Sequence, residues 1–142
     1  MENLKDSFYK ELIEKISDGI YFVDKDRKIL YWNKSSERIT GFPREEVLGR
    51  HCFDNILRHI NDEGKELCKE DCPLVHSIKN KRVETAEVYL HRKDSVRVPV
   101  SVSASPIYND EGEPVGTVEI FRENTELIAT RGRLKELEEK AF

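Results

Sequence analysis

The chain has 142 residues, of which 37% are hydrophobic and 37% are charged, and its formal net charge is −4. This length corresponds to about one domain by the usual range of roughly 100–200 residues. No apolar run approaches the roughly 18 residues that span a bilayer. The lysines alternate with glutamates and form no basic surface for phosphate groups, and the N-terminus lacks a signal-peptide segment. We therefore expect a cytoplasmic domain without direct membrane or nucleic-acid contact, although a larger parent protein could be membrane-bound.

The first predicted element is an amphipathic helix within residues 1–17. Leu4, Phe8, Leu12 and Ile16 recur at four-residue spacing, which matches the 3.6-residue period of one helix face. We expect this apolar face to lie against another surface.

Two short strands and two short helices follow. Residues 20–23 and 29–32 are rich in aromatic and β-branched side chains and are joined by a polar turn, which predicts a hairpin. Asn33 then stands where a helix N-cap belongs, and Gly41 where that helix would end. Pro43 is expected to begin the next helix.

The middle of the chain, residues 50–82, is the least regular part and holds all three cysteines. Residues 73–79 are predicted to form a helix with Leu74, Val75 and Ile78 inward. Three strands are then expected at 83–91, 96–104 and 114–122, with a turn at 109–112. The predicted fold is α+β, a five-stranded antiparallel sheet with short helices on one face, flanked by N- and C-terminal amphipathic helices.

The last segment, residues 126–142, has apolar residues at heptad-like spacings of three and four, which predicts the start of a signalling helix or coiled coil. No glycine or proline stop closes its far end, so we expect it to continue into a longer helix. Because an isolated short helix is marginal in water, we expect a parallel homodimer through the terminal helices. The residues that carry this pattern are Leu127, Thr130, Leu134, Leu137 and Ala141.

Several short segments between residues 18 and 125 form a characteristic combination. They are Ile20-Tyr-Phe-Val-Asp24, Asn33, Thr40-Gly-Phe-Pro-Arg-Glu-Glu46, Leu48-Gly-Arg50, Val98-Pro-Val-Ser-Val-Ser-Ala-Ser-Pro106 and Gly112-Glu-Pro-Val-Gly116. With these segments, residues 18–125 resemble a PAS sensor domain. The resemblance implies a sensory fold that holds a small ligand, a cofactor or only a partner, and passes a signal along the chain without catalysis of its own.

The same resemblance assigns signal coupling to the end of the last strand, where the family commonly has Asp-Ile-Thr. Here the sequence has Glu123, Asn124 and Thr125, so the acid and the hydroxyl are kept and the central apolar residue is lost. The segment from Arg133 onward resembles the connector before diguanylate cyclase (GGDEF) domains, and histidine-kinase dimerisation helices begin similarly. The alternative is an isolated surface helix.

The cysteines leave three interpretations open. They are buried small hydrophobic residues, part of a redox switch, or ligands of zinc or an iron–sulfur cluster. Their spacing matches no standard metal signature. The candidate redox or metal residues are His51, Cys52, Cys68, Cys72 and His76.

The sequence does not identify a cofactor. Blue-light flavin domains carry G-x-N-C-R-F-L-Q, and Gly49-Arg-His-Cys52 places a cysteine at the same offset, but the asparagine, arginine and glutamine of that motif are missing. Haem-binding relatives use a histidine early in the helix before the third strand, whereas His76 stands late in it. Without a recognised cofactor, the default ligand pocket lies between the sheet and the short helices.

Apolar residues of the strands and short helices are the candidates for lining this pocket, and plain core packing is the alternative for all of them. No P-loop, G-x-S-x-G or H-E-x-x-H motif is present, so we do not expect an enzyme. A ligand-free structural dimerisation module is the competing function. The candidate pocket residues are Phe22, Tyr31, Ile39, Phe53, Leu57, Leu74, Ile78, Val88, Leu90, Val100 and Val118.

Overall fold

The computed structural model describes residues 4–52, 56–61, 63–67, 72–124, 133–134 and 136–138. The named helices are α1 Leu4–Lys15, α2 Lys34–Thr40, α3 Arg44–Val47 and α4 Pro73–Asn80, and the strands are β1 Gly19–Asp24, β2 Ile29–Trp32, β3 Glu84–His91, β4 Arg97–Tyr108 and β5 Pro114–Glu123. Residues 133–134 and 136–138 are also helical, within the segment predicted as a C-terminal helix.

The five strands form one sheet in the order β2-β1-β5-β4-β3, and every neighbouring pair is antiparallel. The predicted α+β fold is therefore confirmed. The first and last strands meet in the middle of the sheet, where Tyr21 lies opposite Glu119 and Phe22 opposite Val118. Because successive side chains of a strand point to opposite faces, these two pairs lie on different faces of the sheet.

One face of the sheet is covered by short helices and carries the core. Tyr21, Trp32 and Phe121 are buried on this inner face, and the Tyr21 ring lies 5.4 Å from the Trp32 ring and 5.9 Å from the Phe121 ring. Helix α4 contacts β5 through the Ser77 and Thr117 hydroxyls, 3.3 Å apart. Trp32 is tied to the helical connection, since its indole N–H donates to the Phe42 carbonyl.

The predicted caps of α2 are confirmed. The Asn33 side chain accepts the Ser36 backbone N–H at 2.9 Å, as an N-cap residue does. Gly41 ends the helix with φ of 79°, a left-handed conformation that favours glycine. The prediction of a helix beginning at Pro73 is also confirmed, but Val75 was wrongly expected to point inward, since it is exposed.

Helix α1 is attached to the domain through its polar atoms. Glu14 accepts a hydrogen bond from the Tyr31 hydroxyl and pairs with Arg44, and the Ile13 carbonyl accepts from Asn33. Its apolar stripe is exposed instead of lying against a surface of the described residues, contrary to the expectation from the sequence. Of the predicted stripe, the exposed residues are Phe8, Leu12 and Ile16. Within the described ranges, no helix is long and apolar enough to cross a bilayer.

Candidate functional site

Three polar side chains meet inside the domain, and we call them the interior polar cluster: Tyr21, His59 and Glu119. Tyr21 and Glu119 are cross-strand partners on β1 and β5, so the pleat places both on the inner face. His59 comes from the segment 56–61, which is bridged to the edge strand β3 through Ile60 and Tyr89. All three are buried, with 0%, 5% and 1% of their surface exposed.

The segment that carries His59 is held by backbone hydrogen bonds at several points. Ile60 exchanges two of them with Tyr89, at 3.0 and 2.8 Å, which adds a short bridge to β3. The His91 N–H donates to the Leu57 carbonyl, and the Leu67 N–H donates to the carbonyl of His59 itself at 2.9 Å. The imidazole is therefore positioned by a fixed backbone.

Glu119 has one satisfied and one unsatisfied carboxylate oxygen. The Tyr21 hydroxyl donates to Oε2 at 2.7 Å. The other oxygen, Oε1, lies 3.7 Å from His59 Nε2, and neither of these two atoms has a hydrogen-bond partner in the described part of the chain. Two facing polar atoms without partners are unusual in a core, because each pays a desolvation cost that no hydrogen bond offsets.

Burial shifts the protonation of all three side chains. It raises the pKa of Glu119 to about 7, although the hydrogen bond from Tyr21 acts in the opposite direction. It lowers the pKa of His59 to about 4. The pKa of Tyr21 is raised well above its ordinary value, first by burial and then by the Glu119 charge. Charge on Cys52 and Cys72 also raises the pKa of Tyr21, and both cysteines belong to the same buried core as Tyr21.

Six of the predicted pocket residues lie in the same buried core as the cluster. Ile78 is half-buried and lines a surface groove with Val23 and Leu74. Phe53 lies outside the described residues. The six buried residues are Ile39, Leu57, Leu74, Val88, Leu90 and Val100.

Phe22, Tyr31 and Val118 were placed in the interior wrongly. They lie on the opposite face of the sheet, where the Phe22 and Tyr31 rings are 6.2 Å apart. The reason is the alternation of side chains along a strand, which puts Tyr21 and Glu119 inside and their neighbours Phe22 and Val118 outside.

The candidate redox and metal residues are spread over two environments. Cys52 and Cys72 are buried in the core, while His51 and His76 are half-buried. Cys68 lies outside the described residues. Among the residues that are described, no group of three or more His, Cys, Asp or Glu side chains is arranged to hold a metal ion.

At the end of β5, Glu123 is exposed and Asn124 is anchored to the neighbouring strands. The Asn124 N–H donates to the Pro99 carbonyl, and its side-chain amide donates to Glu87 at 2.8 Å and Ser101 at 3.2 Å. The polar residue at this position therefore makes hydrogen bonds to β3 and β4. Thr125 lies outside the described residues.

Sequence reasoning missed the whole interior polar cluster. The missed signal was the alternation Thr117, Glu119, Phe121 along β5, because all three are buried and Glu119 occupies the middle position of that inward row. A carboxylate at such a position is notable, since acidic side chains are seldom fully buried.

The architecture is an antiparallel sheet with short helices packed on one face around a buried polar cluster. A sequence model of the PAS domain matches residues 17–126. The chain belongs to the PAS domain family.

Three curated relatives show where such domains occur. The chain is 30% identical over 119 residues to Two-component system protein A of Emericella nidulans, covering 83% of this chain and 17% of that protein. It is 26% identical over 134 residues to the signal transduction histidine-protein kinase AtoS of Escherichia coli, covering 92% and 20%. It is 30% identical over 97 residues to a blue-light photoreceptor of Listeria monocytogenes, covering 66% and 36%. The chain thus spans between 17% and 36% of the length of these relatives.

Solved structures agree on the fold. The PAS domain of a protein from Colwellia psychrerythraea superposes with a TM-score of 0.72 at 23% sequence identity, covering 86% of this chain and 98% of that one. At this identity the similarity concerns the fold alone.

Proposed function

We propose that this chain is the cytoplasmic sensory module of a larger signalling protein. In this proposal residues 18–125 respond to a small ligand or to redox state in the interior, and residues 126–142 begin the helix that carries the response to an output domain. The observation that carries the proposal is the buried, incompletely hydrogen-bonded Glu119 on β5. A change at this side chain acts on the strand that ends at Glu123, directly before the proposed signalling helix.

The output domain is proposed to be a diguanylate cyclase or a histidine kinase. The residues from Arg133 onward are similar to the connector before diguanylate cyclase domains. Two-component and histidine-kinase proteins among the relatives support the second choice. Because the chain covers a fifth or less of both proteins, their activity belongs to segments that it does not include.

An absorption spectrum of protein purified without oxygen separates the classes of stimulus. A visible band identifies haem, flavin or an iron–sulfur cluster, and variants of Cys52, Cys72 and His76 then identify its ligands. A spectrum with only the protein band leaves a colourless ligand, zinc or thiol chemistry. The relationship to a blue-light photoreceptor makes the flavin region of the spectrum the first to inspect, although the motif around Cys52 lacks the flavin-binding asparagine, arginine and glutamine.

Coupling is proposed to run through Glu123, Asn124 and Thr125. Replacing Asn124 by alanine removes its hydrogen bonds to Glu87 and Ser101, so we expect a several-fold smaller change in output activity of the full-length protein between reduced and oxidised samples. The free energy of unfolding should fall by no more than about 1.5 kcal/mol, because these hydrogen bonds are near the surface. Thr125→Val is expected to act in the same direction.

The matched control is Asn80→Ala, which removes a comparable exposed hydrogen bond to Glu84 far from the end of β5. It should leave signalling unchanged. Wild-type signalling in both Asn124→Ala and Thr125→Val would contradict the proposed coupling route.

We also propose a homodimer formed through the terminal helices. The exposed Phe8 and Leu12 on α1, and the exposed Leu134 and Leu137 near the C-terminus, supply apolar surface that the described part of the chain does not cover. Leu12→Glu is expected to shift the protein towards monomer in sedimentation, by at least tenfold in dissociation constant, because it places a charge in an apolar contact. Lys10→Glu on the same helix is the control. A dimer of unchanged affinity in Leu12→Glu would count against this interface.

The exposed stripe on α1 also favours the second candidate function, a ligand-free dimerisation module. The two functions differ in their response to ligands, because a molecule that binds the folded state raises the melting temperature. A sensor should show such a shift with some member of a metabolite panel, or with a change of redox state. A module that only dimerises should show none.

A further inference from the structure

We propose that Glu119 and His59 hold one proton between them, and that its loss charges the inner face of β5 and weakens the contact between β5 and the segment 56–61. The two atoms that would share the proton, Glu119 Oε1 and His59 Nε2, face each other at 3.7 Å. This dependence of the contact between β5 and the segment 56–61 on a proton goes beyond the proposed function, since it requires neither a ligand nor an output domain.

Glu119 Oε1 and His59 Nε2 are positioned to form a hydrogen bond with each other. Glu119 Oε2 is already taken by the Tyr21 hydroxyl, whereas Oε1 and Nε2 are both buried without a hydrogen bond to any described group. A protonated carboxyl oxygen donates and a neutral imidazole nitrogen accepts, so a single proton satisfies both atoms. Closing the remaining gap to hydrogen-bond length needs a movement of about 1 Å by either element.

The titratable groups that face Glu119 can be named for the described residues only. From β1 the facing titratable group is Tyr21 and from the segment 56–61 it is His59, while Cys52 and Cys72 lie in the same buried core as Tyr21. On β4 the residue opposite Glu119 is Ala104. Within the described ranges, no lysine or arginine forms an ion pair with Glu119.

Burial places the proton on the carboxyl group. With the pKa of Glu119 near 7 and that of His59 near 4, the folded pair carries one proton between these values, and both side chains are neutral. An unfolded chain also carries one proton on the pair from about pH 4.5 to 6.5, but there it resides on the histidine. Folding therefore moves the proton from nitrogen to oxygen without taking up or releasing one.

The Glu119–His59 pair binds one proton in both the folded and the unfolded chain, and two single variants test this. In the wild type, the contributions of the two residues to the pH dependence of stability cancel between about pH 4.5 and 6.5. In Glu119→Gln, only the lowered pKa of His59 remains, so stability falls as the pH decreases through this window. In His59→Gln, only the raised pKa of Glu119 remains, so stability falls as the pH increases.

The measurement is the unfolding equilibrium constant in urea at a series of pH values, expressed as the ratio of each variant to the wild type. The two ratios should change in opposite directions, each by up to about tenfold per pH unit. Ratios that are both independent of pH, or that change in the same direction, would overturn the proposal.

A second measurement needs no variant to fold. In wild-type protein labelled with ¹³C at the glutamate side-chain carboxyl, the assigned signal of Glu119 should titrate near pH 7, well above the ordinary range of a glutamate carboxyl. The Leu67 amide, which donates to the His59 carbonyl, should shift with the same midpoint. A Glu119 signal that titrates in the ordinary glutamate range refutes the shared proton, whereas the proposed sensory function is tested separately by the absorption spectrum and the ligand-induced shift in melting temperature.

Discussion

Replacing Asn33 by alanine is expected to lower the free energy of unfolding by about 4 kcal/mol, a large share of the 5–15 kcal/mol typical of a domain. The side chain is fully buried. Its Oδ1 accepts the backbone N–H groups of Ile20 and Ser36, at 3.0 and 2.9 Å. Its Nδ2 donates to the carbonyls of Ile13 and Asp18, at 3.0 and 3.1 Å. Alanine leaves four backbone groups without this partner, and one of the four is the Ser36 N–H that Asn33 caps at the start of α2.

Urea unfolding of the variant and the wild type at one pH measures this effect. Ser35→Ala is the matched control, because Ser35 lies beside Asn33 and donates only one hydrogen bond to the same N-terminal region, to the Ile16 carbonyl. We expect it to cost about 1 kcal/mol. If Asn33→Ala and Ser35→Ala lower the free energy of unfolding by similar amounts, the helix cap alone accounts for the stabilisation by Asn33, and its other hydrogen bonds contribute little.

The two halves of the Asn33 side chain show how far sequence reasoning reaches. Its role as N-cap of α2 is local, since acceptor and donor are three residues apart, and the sequence predicted it correctly. The bonds to Ile13 and Asp18 depend on where α1 packs, across 20 and 15 residues of chain. No local pattern contains that information.

The interior polar cluster was missed for a related reason. Hydrophobicity selected Val118 for the pocket, whereas the structure buries Glu119 and turns Val118 to the other face. A change of one residue in the assumed alternation exchanges every inward and outward side chain of a strand. Val118 and Ile120 form an apolar row on β5 that looks like a core face, and only the pairing with β1 decides which row is covered.

The central segment was the least predictable part. His59 reaches Glu119 because Ile60 pairs with Tyr89 and Leu67 closes a loop onto the His59 carbonyl. These contacts join residues without hydrophobic periodicity, so neither helix nor strand patterns signal them. The sequence left burial, a redox switch and a metal site open for the cysteines of this segment, and the structure buries Cys52 and Cys72.

Replacing Gly116 by alanine is expected to cost at least about 3 kcal/mol, because the new methyl group meets fixed backbone. A Cβ atom at this position would lie 2.2 Å from the Val23 carbonyl oxygen, and Gly116 is paired with Asp24 in the β1–β5 ladder. Rotation of a side chain cannot relieve this contact. The strands have to separate, and β1 carries Tyr21, so its hydrogen bond to Glu119 is weakened as well.

Gly112→Ala is the control. It separates the destabilisation caused by lack of space for a Cβ atom from the destabilisation caused by backbone conformation. Gly112 has φ of 77° in the turn before β5, but a Cβ there would meet no atom within 4 Å. Only the left-handed backbone is then strained, at a cost of roughly 1–2 kcal/mol. If Gly116→Ala unfolds at the same urea concentration as Gly112→Ala, the close approach of β1 and β5 is not what holds the centre of the sheet. If Gly116→Ala is clearly less stable than Gly112→Ala, position 116 accepts only glycine. The pairing of β1 with β5, which brings Tyr21 to Glu119, then depends on this glycine.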